Sequence, residues 1–177
     1  MSFVIKNNGS RFLLWSLLVV VLDQLTKYIV VSTIPVNSIG YRVASFFDII
    51  HVHNEGAAFS FLASGGGWQR YFFMLIAVAI SVALLIALLR THREKKWTCL
   101  AISLVIGGAV GNLIDRVCMS YVVDFLLFYI KTDSFSYYYP AFNVADIAVC
   151  CGAGLLIIIG FFGKENKDSK ESGKQSK

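Results

Sequence analysis

Four aspartates carry most of the chemistry this chain can offer. Asp23, Asp115, Asp124 and Asp146 lie in or at the ends of very apolar segments. A carboxylate in or beside hydrocarbon is costly to keep and marks function by default. Asp124 is embedded in Tyr121-Val122-Val123-Asp124-Phe125-Leu126. Asp146 stands one turn into an apolar stretch, three residues after Asn143 and behind Pro140. Two carboxylates held close together cannot both ionise easily, so they share a proton. One then draws a proton from water while the other protonates the reacting group. That is the chemistry of peptide hydrolysis by an aspartic dyad. Sequence alone does not bring Asp124 to Asp146, and a plainer reading of Asp146 exists: an anion near a helix N-terminus is favoured electrostatically.

Other polar residues gather at helical spacing. Asn112, Asp115 and Arg116 follow one another at i, i+3 and i+4, on one face at the end of an apolar run. Arg116 is read either as an internal partner of Asp115 or, with Asn112, as a holder of a peptide carbonyl. Asp23 and Lys27 are four apart and share a helix face; the plain reading is a structural ion pair between helices. Gly107 and Gly111 form a GxxxG pattern that lets helices approach closely. His51 and His53 have the spacing of a strand pair. No HExxH helix accompanies them, so they read as packed or surface residues of a sheet and not as a metal site.

These residues need elements to position them. A spanning helix needs roughly 20 apolar residues. Four stretches qualify, about 12–31, 71–89, 98–115 and 143–162. The first contains Asp23 and Lys27 and lacks a small-x-small cleavage site, so it reads as an uncleaved helix and not a signal peptide. The N-terminus, the 90–97 turn and the C-terminal tail hold 11 of the 16 Lys and Arg. Four spans put those regions on one face, which the positive-inside rule makes cytoplasmic. The connections 32–70 and 116–142 then lie outside. Residues 42–53 read as a strand, Asn54-Glu55-Gly56 as a turn, and Ala57 to Leu62 as a returning strand. Tyr28, Trp68, Tyr71, Phe72, Phe73 and Tyr137 to Tyr139 read as an interfacial belt. The fold class expected is an all-α membrane protein of four transmembrane helices with a small extracytoplasmic β-sheet and loop. It forms one domain over 1–163, followed by a disordered cytoplasmic tail over 164–177.

Composition agrees. The 177 residues are 56% hydrophobic and 15% charged, outside the usual globular range. The net charge of +5 sits in loops and tail, with no phosphate-cradling loop and no RNA-binding signature, which argues against a nucleic-acid partner. Cys99, Cys118, Cys150 and Cys151 show no zinc spacing. The adjacent pair Cys150 and Cys151 reads as small hydrophobes in packing.

Five blocks in order resemble the bacterial lipoprotein signal peptidases (signal peptidase II). They are Asp23-Gln24-Leu25-Thr26-Lys27, Asn54-Glu55-Gly56-Ala57-Ala58-Phe59-Ser60, Gly111-Asn112-Leu113-Ile114-Asp115-Arg116, Val122-Val123-Asp124-Phe125 and Phe142-Asn143-Val144-Ala145-Asp146. The resemblance implies an intramembrane aspartic endopeptidase of the bacterial inner membrane that needs no metal or cofactor. Such an enzyme removes the signal peptide from diacylglyceryl-modified prolipoproteins, cutting just before the lipidated Cys on the outer face. It implies Asp124 and Asp146 as the catalytic pair and Asn112, Arg116, Asn143, Asn54 and Gly56 as substrate-binding residues. Asp23, Lys27 and Asp115 would give structural support. Membrane lipid would surround the enzyme, and globomycin-like inhibitors are expected to act.

Two other classes compete. A proton-coupled transporter would use the intramembrane acids and Lys27 as a proton path, but the polar residues gather at one face and no inverted repeat is visible. A non-catalytic scaffold for lipidated proteins would tolerate an Asp→Asn change at Asp124 or Asp146. A Ser60–Lys27 nucleophile pair finds no support in the local context of Ser60.

Overall fold

The computed structural model describes residues 7–55 and 68–175, with side chains for all of these except 69, 70 and 162–175. A short 3-10 turn, Gly9–Phe12, is capped by Asn8, whose side chain accepts from Ser10 N–H at 3.1 Å. It leads into α1, Leu13–Thr33. The helix stops at Ile34, which takes an extended conformation before Pro35. That is where the restriction on a residue preceding proline ends a helix. Strands β1 (Ser38–Ala44) and β2 (Phe47–Asn54) follow, then α2 (Trp68–Arg90), α3 (Lys96–Cys118), β3 (Val122–Lys131), β4 (Ser136–Tyr138) and α4 (Val144–Gln175).

Among the described residues, four helices are long and apolar enough to cross a membrane: Gly9–Thr33, Tyr71–Arg90, Lys96–Cys118 and Val144–Phe161. α3 is the hub, for half of its apolar window is buried inside protein against 6% for the window in α2. Its small residues allow this. A Cβ on Gly107 would sit 2.8 Å from the Ser16 carbonyl of α1, and one on Gly108 would collide with the Ala145 carbonyl of α4. Close approach of backbones is how helices gain packing where water supplies no hydrophobic drive. The outer faces of α1, α2 and α4 keep large apolar side chains exposed, among them Leu14, Leu75 and Phe161, as a lipid-facing surface requires.

The four strands form one antiparallel sheet in the order β1-β2-β3-β4. A core of Val30, Ile34, Val123 and Phe125 joins α1 to β3. Two expectations need correction. Residues 42–53 are not one strand, because the chain turns at Ser45-Phe46 and divides them between β1 and β2. Asn54 is the last residue of β2 and not part of the turn. The partners of β2 are β1 and β3. The expected return over Ala57 to Leu62, like Gly56 and Ser60, lies outside the described residues. The cysteines also differ from expectation: Cys99 is the packed one, while Cys150 and Cys151 are exposed on α4. The α4 backbone continues as helix through the polar tail to Gln175, where composition alone pointed to a disordered end.

Candidate active site

α4 begins at the polar centre of the molecule, and Asn143 organises its first turn. The Asn143 side-chain oxygen accepts from Asp146 N–H at 3.0 Å, and Asn143 N–H donates back to Asp146 Oδ2 at 3.1 Å. This is a capping box, two otherwise orphaned donors satisfied reciprocally. The plain reading of Asp146 is therefore physically present, but it uses only one carboxylate oxygen. The other, Oδ1, accepts from Asn112 Nδ2 at 2.8 Å.

Asn143 reaches the second acid as well. Its Nδ2 donates to Asp124 Oδ1 at 2.8 Å. Asp124 Oδ2 accepts from Asn54 Nδ2 at 2.9 Å. One residue thus holds Asp146 by its backbone and Asp124 by its side chain, which places both carboxylates around a single asparagine. Asp124 is buried, and burial is the main cause that pushes its carboxyl up to about 6. The Asn54 bond opposes this, the Asp146 charge adds to it, and the Asn143 bond and Lys27 charge oppose it. The amide donors favour the ionised form and desolvation the neutral one.

Beneath this pair lies a second polar cluster. Lys27 Nζ is 2.8 Å from Asp23 Oδ2 and 2.9 Å from Asp115 Oδ2, and donates to Asn112 Oδ1 at 2.9 Å. Three partners satisfy the three ammonium donors. Asp23 Oδ1 accepts from Ala145 N–H at 2.9 Å, and Asp115 Oδ2 accepts from Val123 N–H at 3.2 Å. Each buried carboxylate therefore holds the backbone one residue before Asp146 or Asp124. Asn112 joins the two clusters, because its oxygen also accepts from Asn143 Nδ2 at 3.1 Å.

The structure does not pair Arg116 with Asp115. Asp115 pairs with Lys27, while the Arg116 guanidinium donates to the Asn112 carbonyl at 3.3 Å and lies 6.0 Å from the ring centre of Phe73 on α2. Of the expected site residues, Asp124, Asp146, Asn112, Asn143 and Asn54 meet directly. Asp23, Lys27 and Asp115 form the layer below, and Arg116 stands beside Asn112. Gly56 lies outside the described residues.

One residue escaped the sequence reading. Gln24 Nε2 donates to Asp115 Oδ1 at 2.8 Å, with Asp23 Oδ2 and the Gly111 carbonyl each at 3.2 Å. The available signal was an amide in an apolar run beside Asp23. Gln24 and Lys27, three residues apart on one helix face, reach the same two carboxylates. His51 and His53 pack on the sheet, and among the described residues no three His, Cys, Asp or Glu side chains converge as a metal-binding set.

Comparison with known proteins shows the family. The family model for signal peptidase (SPase) II, Peptidase_A8, matches residues 15–162. A protein of Alteromonas mediterranea named lipoprotein signal peptidase is 45% identical over 97% of this chain and 91% of its own length. One of the same name from Aeromonas hydrophila is 42% identical over 95% of this chain and 98% of its own. A solved structure described as a bacterial membrane enzyme superposes with a TM-score of 0.76 at 35% identity, covering 89% of this chain and 92% of that one. With that family model spanning residues 15–162 and these relatives covered over most of their length, the chain belongs to the signal peptidase II family and is an aspartic-type peptidase.

Proposed function

We propose that this protein removes the signal peptide from diacylglyceryl-modified prolipoproteins, cutting just before the lipidated Cys, with Asp124 and Asp146 as its catalytic dyad. The observation that carries this reading is Asn143, which binds one carboxylate through its backbone and the other through its side chain. In the reactive state the pair holds one proton. The ionised aspartate takes a proton from water as the water oxygen bonds to the scissile carbonyl carbon. The protonated aspartate gives its proton to the carbonyl oxygen. The resulting diol collapses, the C–N bond breaks, and a proton passes from the dyad to the leaving nitrogen. Water is the only co-reactant, and no cofactor enters.

Asn112, Asn143, Asn54, Arg116 and Gly56 are assigned to the substrate backbone, which needs hydrogen-bond partners at membrane depth. Asp23, Lys27 and Asp115 support them from below. The basic N-terminus, 90–97 turn and tail favour cytoplasmic termini in the bacterial inner membrane, with the site and sheet outside. There the lipid anchor of a substrate stays in the bilayer while its peptide enters the polar pocket. Globomycin-like lipopeptides are expected to compete for the same place.

The test is cleavage of a lipid-modified prolipoprotein by the purified protein in detergent, with wild type, Asp124→Asn and Asp146→Asn side by side and a chelator throughout. Wild-type cutting abolished by both substitutions is the expected result. Full cutting by either variant removes that aspartate from the mechanism. No cutting by folded wild type sinks the substrate assignment.

A further inference from the structure

β2 does not run smoothly past β3. Phe47, Asp48 and Ile49 pair with Phe128, Leu127 and Leu126, and Val52, His53 and Asn54 pair with Asp124, Val123 and Val122. Ile50 and His51 therefore stand against Phe125 alone, two residues opposite one, which is a β-bulge. The bulge has a consequence for the site. Continued without it, the first register would set His51 opposite Asp124 and turn Asn54 to the other face of the sheet, since a one-residue slip flips every side chain. With it, Val52 and Asn54 share the face of Asp124. Asn54 then lies diagonal to Asp124, and its amide reaches Oδ2 at 2.9 Å.

Two histidines fasten this bulge. His51 is buried at 2% exposure, and its Nδ1 is 2.7 Å from the carbonyl oxygen of Ile34, the residue that ends α1. A carbonyl only accepts, so Nδ1 carries the hydrogen. In the neutral ring Nε2 is then an acceptor. The His53 Nε2 lies 3.1 Å away and supplies the matching donor. The His53 ring in turn stacks on Tyr121 at 3.6 Å between centroids, just before β3 begins. The His51 carbonyl accepts from Asn37 N–H at 2.7 Å. A continuous chain of contacts thus runs from the end of α1 through the bulge to the start of β3.

We infer that His51 and His53 are positioning residues of the reaction: they lock the β2 bulge that delivers the Asn54 amide to Asp124. The inference rests on the dyad reading above, and it adds residues that the family blocks do not contain. The link between the rings survives with one proton added to the pair but not with two, because the second removes the only acceptor. Burial, followed by the His51 charge, holds the His53 pKa below its ordinary value, with Glu55 opposing. Around Asp124 the groups that decide its ionisation are Asn54 from β2, Asn143 and Asp146 from α4, Lys27 from α1 and Arg116 from α3. Of these only Asn54 depends on the bulge. Its bond favours the ionised carboxylate, so its loss must raise the Asp124 pKa further.

The experiment reads that shift in the full-length protein in detergent. Infrared titration of isotope-labelled aspartate, with Asp124→Asn as the blank, follows the Asp124 carboxyl whether or not the protein is turning over substrate. His51→Phe is expected to raise the midpoint in the same direction as Asn54→Ala, by about one pH unit. The double variant should shift no further than either alone, the signature of coupled residues. His51→Asn, which retains a donor near the Nδ1 position, should fall between. With a lipidated substrate, His51→Phe should lower kcat by roughly tenfold with KM nearly unchanged, and its pH profile should move with that of Asn54→Ala. A folded His51→Phe protein whose Asp124 titrates as wild type overturns the inference, as does a double-variant shift equal to the sum of the two. If His51→Phe does not fold, His53→Phe, which breaks only the second link, is read by the same criteria. Failure of the wild type to cut would sink the proposed function and leave the titration to decide the positioning role.

Discussion

Two pairs of carboxylates, all buried except the half-buried Asp146, lie within one hydrogen-bonded network, and they are held in opposite ways. Asp23 and Asp115 are closed around the ammonium of Lys27, with Gln24 bonded to both. Asp124 and Asp146 form no ion pair among the described residues and are held by the amides of Asn54, Asn112 and Asn143. A cation fixes the charge of its partners and makes any proton exchange expensive. Neutral amides orient a carboxylate while leaving its protonation adjustable. The lower cluster is closed by a cation, and the upper pair is held by neutral groups alone. The contacts from Asp23 to Ala145 N–H and from Asp115 to Val123 N–H carry the rigidity of the first group into the backbone of the second.

The sharpest way to break this comparison is to neutralise the upper pair. Asp124→Asn or Asp146→Asn should lower kcat by about 10²–10⁴-fold, the range of general acid–base catalysis, while the protein remains folded in a melting assay. Lys27→Met should do the reverse. It leaves two buried carboxylates without their cation, a loss of about 3–5 kcal/mol. The first effect should appear as a lowered melting temperature and a poor folded yield, with lost activity as its consequence. A Lys27→Met protein that melts like wild type but does not cut would merge the two clusters into one catalytic unit.

Gly111→Ala probes the same cluster sterically. Its Cβ would sit 2.7 Å from Asp23 Oδ2. Overpacking of this kind costs about 1–3 kcal/mol, read by thermal unfolding in detergent. The smallest effect sharpens the comparison through pH. The Asp124 carboxyl is near 6 in the folded protein against 3.8 ordinarily. Between those values the folded state binds the extra proton, so stability is full in acid and falls as pH rises through 6. Asp124→Asn cannot ionise and should therefore melt higher than wild type above pH 6, by about 1 kcal/mol once the loss of one amide bond is deducted, with the advantage vanishing toward pH 4. A constant difference across pH would place the cost elsewhere.

The helices were legible because the membrane makes them so. Backbone polar groups must be satisfied internally, and a run such as 71–89 has no other way to cross. The acids were legible for the same reason: Asp23 in the middle of Leu and Val has no bland exposed alternative. The sheet was harder. Residues 42–53 have strand composition throughout, and nothing in that run announces the turn at Ser45-Phe46, because either division leaves apolar residues on a face. Arg116 was ambiguous for a related reason: helical spacing shows which residues share a face, but Lys27, from a different helix, took Asp115.

By itself, then, the sequence determined the number of spans, the intramembrane acids and the blocks that mark the family, all of which follow from local composition and period. Only the tertiary structure decided which carboxylates are paired with a cation and which are held by neutral amides. That depends on groups brought from α1, α3, α4 and two strands, and on their distances. It also decided that Asn54 faces Asp124. A single extra residue in β2 settles that orientation, and neither propensity nor hydrophobic pattern encodes where a strand slips past its neighbour.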